Sequence, residues 1–364
     1  MTGASAERPA LFDRFPALAG RIPWVRLETS PSPVQRLEHL GHGNLWIKRE
    51  DILSTVYGGN KVRKLEFVLA DAIEKRRDRV VTLGALGTNH GLATAIFCQR
   101  LGLGCTLLLF DQPVTSYVRR NLLLAHKYGA ELVHSKNLIR IGIDYYLASR
   151  LSYRRACFLY AGGSSLLGTL GVVSGALELA GQVEEGLCPA PDYVICPTAS
   201  NGTMAGLSLG FALAGLPTRV IGVRVSMKRF GPFPLNTPGT VLRMMKNVHR
   251  LMASYVPSIP EPRFERPHLL EDYCGEGYGR PSPAGNRALE IFREREGIAL
   301  DPVYTGKTCA ALLDFAQDPA HAKDAILYWH TYNSIDRSRE AQELDYHELP
   351  AEFHPFFEGE PLRI

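Results

Sequence analysis

Lys61 follows two glycines and an asparagine in the run Gly58-Gly59-Asn60-Lys61-Val62-Arg63-Lys64-Leu65-Glu66, where a loop turns into a helix. A lysine placed so is held by its backbone while its amine points into the space above the loop. An amine that must form an imine with an aldehyde cofactor needs that placement. The same residues also make an ordinary turn entering a basic helix start.

Four further turns could carry chemistry. Gly84-Ala85-Leu86-Gly87-Thr88-Asn89-His90-Gly91 exposes backbone N–H groups and a hydroxyl to an anion, with a substrate carboxylate as the candidate. Asn89 can hydrogen-bond a phenolic oxygen and Thr88 a carboxylate; Thr88 as a plain helix cap is the competing reading. Pro197-Thr198-Ala199-Ser200-Asn201-Gly202-Thr203-Met204-Ala205-Gly206 has small residues and hydroxyls that let N–H groups close on a phosphate. It lacks the lysine and spacing of a P-loop and is not the dinucleotide fingerprint, and a plain strand-to-helix turn stays open. Gly277-Tyr278-Gly279-Arg280-Pro281 and Asp301-Pro302-Val303-Tyr304-Thr305-Gly306-Lys307 set two tyrosines at turns. Their phenols serve as acid or base only where the environment lowers a pKa of about 10. Half-buried packing explains either tyrosine taken singly. Tyr328-Trp329-His330-Thr331-Tyr332-Asn333-Ser334 reads, taken alone, as an ordinary strand exit.

Positioning such turns takes strands and helices in alternation. Strand-like runs at 45–47, 80–83, 105–110, 132–133, 158–160, 193–196, 220–225 and 326–329 alternate with helical patterns at 64–75, 92–101, 117–128, 138–151, 166–187, 204–213, 241–255, 287–295 and 308–315. The 166–187 helix reads as interrupted by its glycines. The alternation predicts an α/β fold with parallel sheets covered by helices on both faces. Ligands in such sheets bind at the carboxyl ends of strands, where most of the turns above fall. Proline-rich segments 232–238 and 257–267 read as surface loops. The acidic, proline-punctuated tail after Arg339 reads as wrapping the body or meeting a second subunit.

The 364 residues suffice for two domains, and 45% hydrophobic with 21% charged residues is ordinary for a soluble globular protein. A net charge of +4 with acids and bases interleaved implies no nucleic-acid partner. Seven scattered cysteines, none in a Cys-x-x-Cys pair, fit a reducing compartment. Met1 to Pro9 lack an apolar signal core, and no uninterrupted apolar stretch reaches membrane-spanning length. The expectation is a cytoplasmic protein that binds no membrane. Eleven histidines include His39 and His42, but no metal-ligand spacing occurs, so no metal is expected.

Together these segments resemble the pyridoxal-phosphate enzymes of the tryptophan-synthase-β fold (fold type II), in the branch of 1-aminocyclopropane-1-carboxylate (ACC) deaminase and D-cysteine desulfhydrase. Ile47-Lys48-Arg49-Glu50-Asp51 followed by Gly58 to Glu66 looks like that branch's signature around its Schiff-base lysine. Thr88-Asn89-His90 is similar to its Ser-Asn-His or Ser-Asn-Gln turn. Ala161-Gly162-Gly163-Ser164 with Leu167-Gly168-Thr169-Leu170-Gly171 is similar to its Gly-Gly-Ser-Asn-x-x-Gly-x-x-Gly segment, and Asp301 to Lys307 to its Asp-Pro-Val-Tyr-x-Gly-Lys. The likeness runs from about Pro33 to Ser334.

The resemblance implies pyridoxal 5'-phosphate held by Lys61, with Asn89 on its phenolic oxygen and Ser200, Asn201, Gly202 and Thr203 around its phosphate, Lys64 adding charge. It implies Thr305 and Thr331 near the ring nitrogen, and catalytic roles for Lys61, Thr88, Tyr278 and Tyr304. Thr88, Asn89, His90, Ser164 and Tyr332 would contact a small amino-acid substrate. It further implies a homodimer, and two lobes with the cofactor between them: a large domain of 1–63 and 162–364, and a small inserted domain of 64–161.

Two departures bear on the reaction. The deaminase carries a glutamate where this chain has Thr305, and a hydroxyl cannot hold a pyridinium by charge. A less charged ring suits β-elimination better than ring opening. After His330-Thr331 the family usually has Gly-Gly, whereas this chain has Tyr332-Asn333, whose bulk could reshape the pocket. The resemblance therefore implies a carbon–sulfur lyase giving a keto acid, ammonia and sulfide. ACC deamination, β-replacement and a non-catalytic binding homologue stand as alternatives. A dehydrogenase has no Gly-x-Gly-x-x-Gly to support it.

Overall fold

A computed structural model describes residues 8–27, 31–230 and 232–362. Met1 to Glu7, most of the stretch read as leaderless, lie outside the described residues. The chain divides into two compact units: residues 1–67 with 164–335, and residues 68–163 with 336–364.

The first unit is built on six strands. They are β1 (Val34–Arg36), β2 (Leu45–Lys48), β7 (Tyr193–Thr198), β8 (Arg219–Arg224), β11 (His268–Leu270) and β12 (Ile326–Trp329), in the order β1-β2-β12-β7-β8-β11. Only the edge pair β1–β2 is antiparallel. The central β12 is buried at all four positions and lies between β2 and β7. Its Ile-Leu-Tyr-Trp run is the continuous apolar pattern of a strand covered on both faces. Leu45, Ile47, Ile195 and Phe292 form one core; Val172, Met204, Phe211 and Trp329 form another. The second unit holds β3 (Arg79–Ala85), β4 (Gly104–Phe110), β5 (Ala130–Lys136) and β6 (Ala156–Leu159), all parallel in the order β5-β4-β3-β6.

The strands and helices read from the sequence are present, with several corrections. The helix Leu166–Glu184 is continuous through its glycines. They serve close packing instead: a Cβ on Gly171 would stand 1.9 Å from the carbonyl oxygen of Arg63. This helix is also apolar and long enough to cross a membrane by length and composition, contrary to expectation. Yet 78% of that window is buried in the protein, and Glu178 within it joins buried ion pairs. The stretch 138–151 divides into Leu138–Ile143, a π-helical turn at Asp144–Ala148 and Ser149–Ser152. Segment 232–238 contributes β10 (Phe233–Pro234), paired with β9 (Arg229–Phe230), and Pro238 opens the next helix.

The tail differs most. It was expected with the large domain, but residues 336 onward belong to the second unit. Arg119 Nε donates to the carbonyl of Phe356 (2.9 Å), and Tyr128 Oη to Glu340 Oε1 (2.6 Å). Leu362 N donates to Val114 O (2.8 Å), and the rings of Phe353 and Phe356 lie 5.7 and 5.2 Å from that of His134.

Candidate active site

Two glycines force the approach to Lys61. Gly59 has φ +89°, and a Cβ there would come within 2.9 Å of the carbonyl oxygens of Thr331 and Tyr332. A Cβ on Gly58 would stand 1.8 Å from the carbonyl oxygen of Asp51. Only glycine allows this close backbone approach. Gly59 N donates to Glu50 O (2.7 Å) and Gly58 N to Asn333 Oδ1 (2.7 Å). Asn333, read from the sequence as bulk that could reshape a pocket, holds the turn before the lysine with its carboxamide.

Lys61 opens the helix Lys61–Glu74. Its Nζ donates to Asn60 Oδ1 (2.9 Å), and Asn60 Nδ2 donates to Thr203 Oγ1 (2.8 Å). Burial pushes the Lys61 amine down to about 8, with the negative charge of Asp301 acting the other way. An amine whose neutral fraction is substantial at physiological pH is a usable nucleophile and base.

The helix start is anchored by buried charges. Arg63 donates from Nε and NH2 to both oxygens of Glu50 (2.7 and 2.8 Å) and from NH2 to Glu178 (2.9 Å). Lys48 Nζ donates to Glu178 Oε1 and Gln182 Oε1, each at 2.6 Å. The pairing of two cations with two carboxylates keeps these buried charges compensated.

Beside the lysine, Ser200-Asn201-Gly202-Thr203 joins β7 to the helix Gly202–Ala214, with Asn201 left-handed at φ 66°. Ser200 Oγ shares a hydrogen bond with Ser164 Oγ (2.7 Å), which also accepts from Lys64 Nζ (3.1 Å). A Cβ on Gly202 would lie 2.6 Å from Ser164 Oγ and 3.1 Å from Lys64 Nζ. Ser164 was expected at the substrate; the structure places it in this cradle. Burial, and next the charge of Lys61, push Lys64 well below its ordinary value. A buried ammonium at the positive end of a helix is unfavourable until an anion joins it.

The tyrosines come from two segments that meet. Tyr278 Oη and Tyr304 Oη are 2.5 Å apart. Burial pushes both phenols up, Tyr304 well above its ordinary value. They therefore act as protonated donors at neutral pH, not as ready bases. Thr305 was expected at a cofactor ring, but its Oγ1 donates to Asp301 Oδ2 (2.8 Å) and accepts from Asp301 N (2.6 Å), fully buried. Asp301 also accepts from the backbone N–H groups of Val303, Tyr304 and Thr305 (2.9, 2.7 and 3.2 Å). Thr331, by contrast, is half-buried, and its hydroxyl has no hydrogen bond among the described residues. The Tyr332 ring lies 6.5 Å from that of His330.

The second unit carries Thr88, Asn89 and His90. Thr88 caps its helix, Oγ1 accepting from Gly91 N (3.1 Å). Asn89 Oδ1 accepts from Tyr117 Oη and from Asn121 Nδ2 (3.2 Å), which fixes the amide with Nδ2 left as donor. His90, expected to contact substrate, is 3% exposed and shares a hydrogen bond with Thr82 (2.9 Å) inside the unit.

Asp301 and Asn60 are the site residues to which sequence reasoning gave no role, and Asn333 the one to which it gave only bulk. Asp301 and Asn60 stood inside the quoted motifs. Among the described residues no cluster of His, Cys, Asp or Glu suits a metal ion.

Known proteins resemble this chain over most of its length. Residues 25–331 match the family described as pyridoxal-phosphate dependent enzyme. The chain is 33% identical over 325 residues to D-cysteine desulfhydrase of Salmonella paratyphi A, covering 85% of this chain and 94% of that one. Identity to the D-cysteine desulfhydrase of Salmonella newport is 33% over 326 residues, with the same coverage. A crystal structure of an ACC deaminase homologue superposes with TM-score 0.74 at 29% identity, covering 92% of this chain and 98% of the other. The crystal structure of a T.th. threonine deaminase shares the fold at TM-score 0.59, 18% identity and 92% and 99% coverage.

The residues fit the cofactor these relatives suggest. The cradle of Ser164, Ser200, Gly202 and Thr203 with Lys64 suits a phosphate, because hydroxyls and a glycine line a helix N-terminus there, and an anion would favour the ammonium form of Lys64 that burial disfavours. The Lys61 amine, pushed down to about 8, suits an aldehyde carbon.

Proposed function

Starting from the chain's membership of the pyridoxal-phosphate-dependent enzymes, in the ACC deaminase/D-cysteine desulfhydrase family, we propose that it is a carbon–sulfur lyase. It acts on a small β-substituted amino acid, D-cysteine foremost, by β-elimination. When bound, pyridoxal phosphate supplies an aldehyde carbon for an amino group and a conjugated ring that accepts electron density from Cα.

This chain's residues supply the rest. Lys61 would hold the cofactor through Nζ, and the same nitrogen, when free, would take the Cα proton. Ser164, Ser200, Thr203 and Lys64 hold the phosphate. Thr331 offers the ring nitrogen an uncharged hydroxyl, and Asn89 offers Nδ2 to the phenolic oxygen. Thr88 binds the substrate carboxylate through its O–H. Tyr278 and Tyr304, both protonated, donate to the departing thiolate. Loss of the Cα proton and the β-thiolate leaves an enamine, which water converts to a keto acid and ammonia.

The observation that carries elimination is the pair of uncharged hydroxyls, Thr331 and Thr305, the latter turned onto Asp301, where a glutamate at 305 would have supplied a carboxylate for the ring nitrogen. ACC ring opening is the second reading, supported by the likeness to the ACC deaminase homologue. Keto-acid and sulfide release from D- and L-cysteine, other β-substituted amino acids and ACC tests the choice. Elimination predicts keto acid and sulfide from a cysteine; keto acid from ACC alone would refute it.

A further inference from the structure

The segment 274–280 that carries Tyr278 has no regular structure, and its Gly275, Gly277 and Gly279 all have positive φ (61°, 129° and 79°). Three glycines in seven residues give a chain that does not hold a shape by itself. Something must fix it for the Tyr278 phenol to reach Tyr304.

That support comes from the first turn of the helix Thr305–Gln317. Lys307 is 0% exposed. Its Nζ donates to the backbone carbonyls of Cys274 (2.6 Å) and Gly277 (2.9 Å). Tyr304, three residues earlier and so on the same helical face, bonds the phenol of Tyr278. Asp301 fixes this turn through the N–H groups of Val303, Tyr304 and Thr305. One helix start thus grips the loop by its backbone at two points and by its phenol at a third. Burial disfavours the Lys307 ammonium, and the two backbone carbonyls, with the nearby charge of Asp301, are what hold it in place.

We infer that Lys307 is a positioning residue which clamps the 274–277 backbone and so sets the Tyr278 phenol against Tyr304 in the reacting geometry. The role in turnover rests on the function proposed above; the clamp itself does not. Without the ammonium, the carbonyls of Cys274 and Gly277 lose their donor, and the glycine-rich loop regains its freedom.

The test compares the cofactor-loaded wild type with Lys307→Met, Gly277→Ala, Tyr278→Phe and the Lys307→Met/Tyr278→Phe pair. Gly277→Ala strains the same loop at φ 129° with Lys307 intact, and so serves if the methionine variant does not fold. Hydrogen exchange over 274–280, the cofactor absorption band, kcat and KM are read for each. Exchange should rise at least tenfold in Lys307→Met and Gly277→Ala, with the absorption band kept. Both should lose kcat about as far as Tyr278→Phe, with KM within about twofold. The paired variant should be no slower than Tyr278→Phe alone. Wild-type exchange in both loop variants, or losses that multiply in the pair, would overturn the clamp. If the wild type turns over no amino acid, the proposed function fails, and the exchange result alone decides the clamp.

Discussion

Lys61 should reveal its lowered pKa in the rate at which it captures the cofactor. With a value of about 8, roughly 9% of the amine is neutral at pH 7. An ordinary lysine at 10.5 would be about 0.03% neutral, so the structure gives a gain of about 300-fold in reactive amine. The assay mixes apoprotein with pyridoxal phosphate between pH 6 and 10.5 and follows the imine absorbance by stopped flow. The rate should rise about tenfold per pH unit up to about pH 8 and then level off. Asp301→Asn should move the bend to lower pH, because the Asp301 charge holds the amine up against burial. A rate still climbing tenfold per unit beyond pH 9.5 would refute the claim that burial governs this amine.

Gly202→Ala should weaken pyridoxal-phosphate affinity at least tenfold by equilibrium dialysis, about 1.4 kcal/mol, because the methyl enters the cradle 2.6 Å from Ser164 Oγ. Thr305→Val should cost about 1–3 kcal/mol of stability in urea by stripping Asp301 of a buried donor, whereas Thr331→Val should shift the cofactor's absorption maximum with little loss of stability. Burial pushes the Glu178 carboxyl up, but Arg63 and Lys48 overcome that and hold it at about 2, against an ordinary 4.5. Its stabilisation is therefore present above pH 4.5 and lost as pH falls toward 2, a change of about 3 kcal/mol that Glu178→Gln should abolish in denaturation curves.

The sequence disclosed contacts that lie close along the chain. Gly58 to Lys64 reads as a turn presenting a lysine because every element of that statement is local, and the β7–Gly202 turn is legible for the same reason. Thr305 shows where a local motif misleads: its hydroxyl is taken by Asp301, four residues earlier, and so is not offered to a ligand. Lys48, Arg63 and Glu178 could not be paired from sequence, since 130 and 115 residues separate the partners and only the folded helix Leu166–Glu184 brings them together. Asn333 likewise reads as bulk until its carboxamide is seen on Gly58 N, 275 positions away. The tail was misassigned because nothing in its composition names Arg119, Tyr128 or His134 as its contacts.

The central claim is that Lys61 is the residue that carries pyridoxal phosphate. Borohydride reduction of the cofactor-loaded protein, followed by proteolysis and mass spectrometry, measures it directly. The account predicts one phosphopyridoxyl adduct, on the peptide containing Lys61, and none in Lys61→Ala. An adduct on Lys64 or another lysine with Lys61 unmodified, or an equal adduct in the alanine variant, would contradict it.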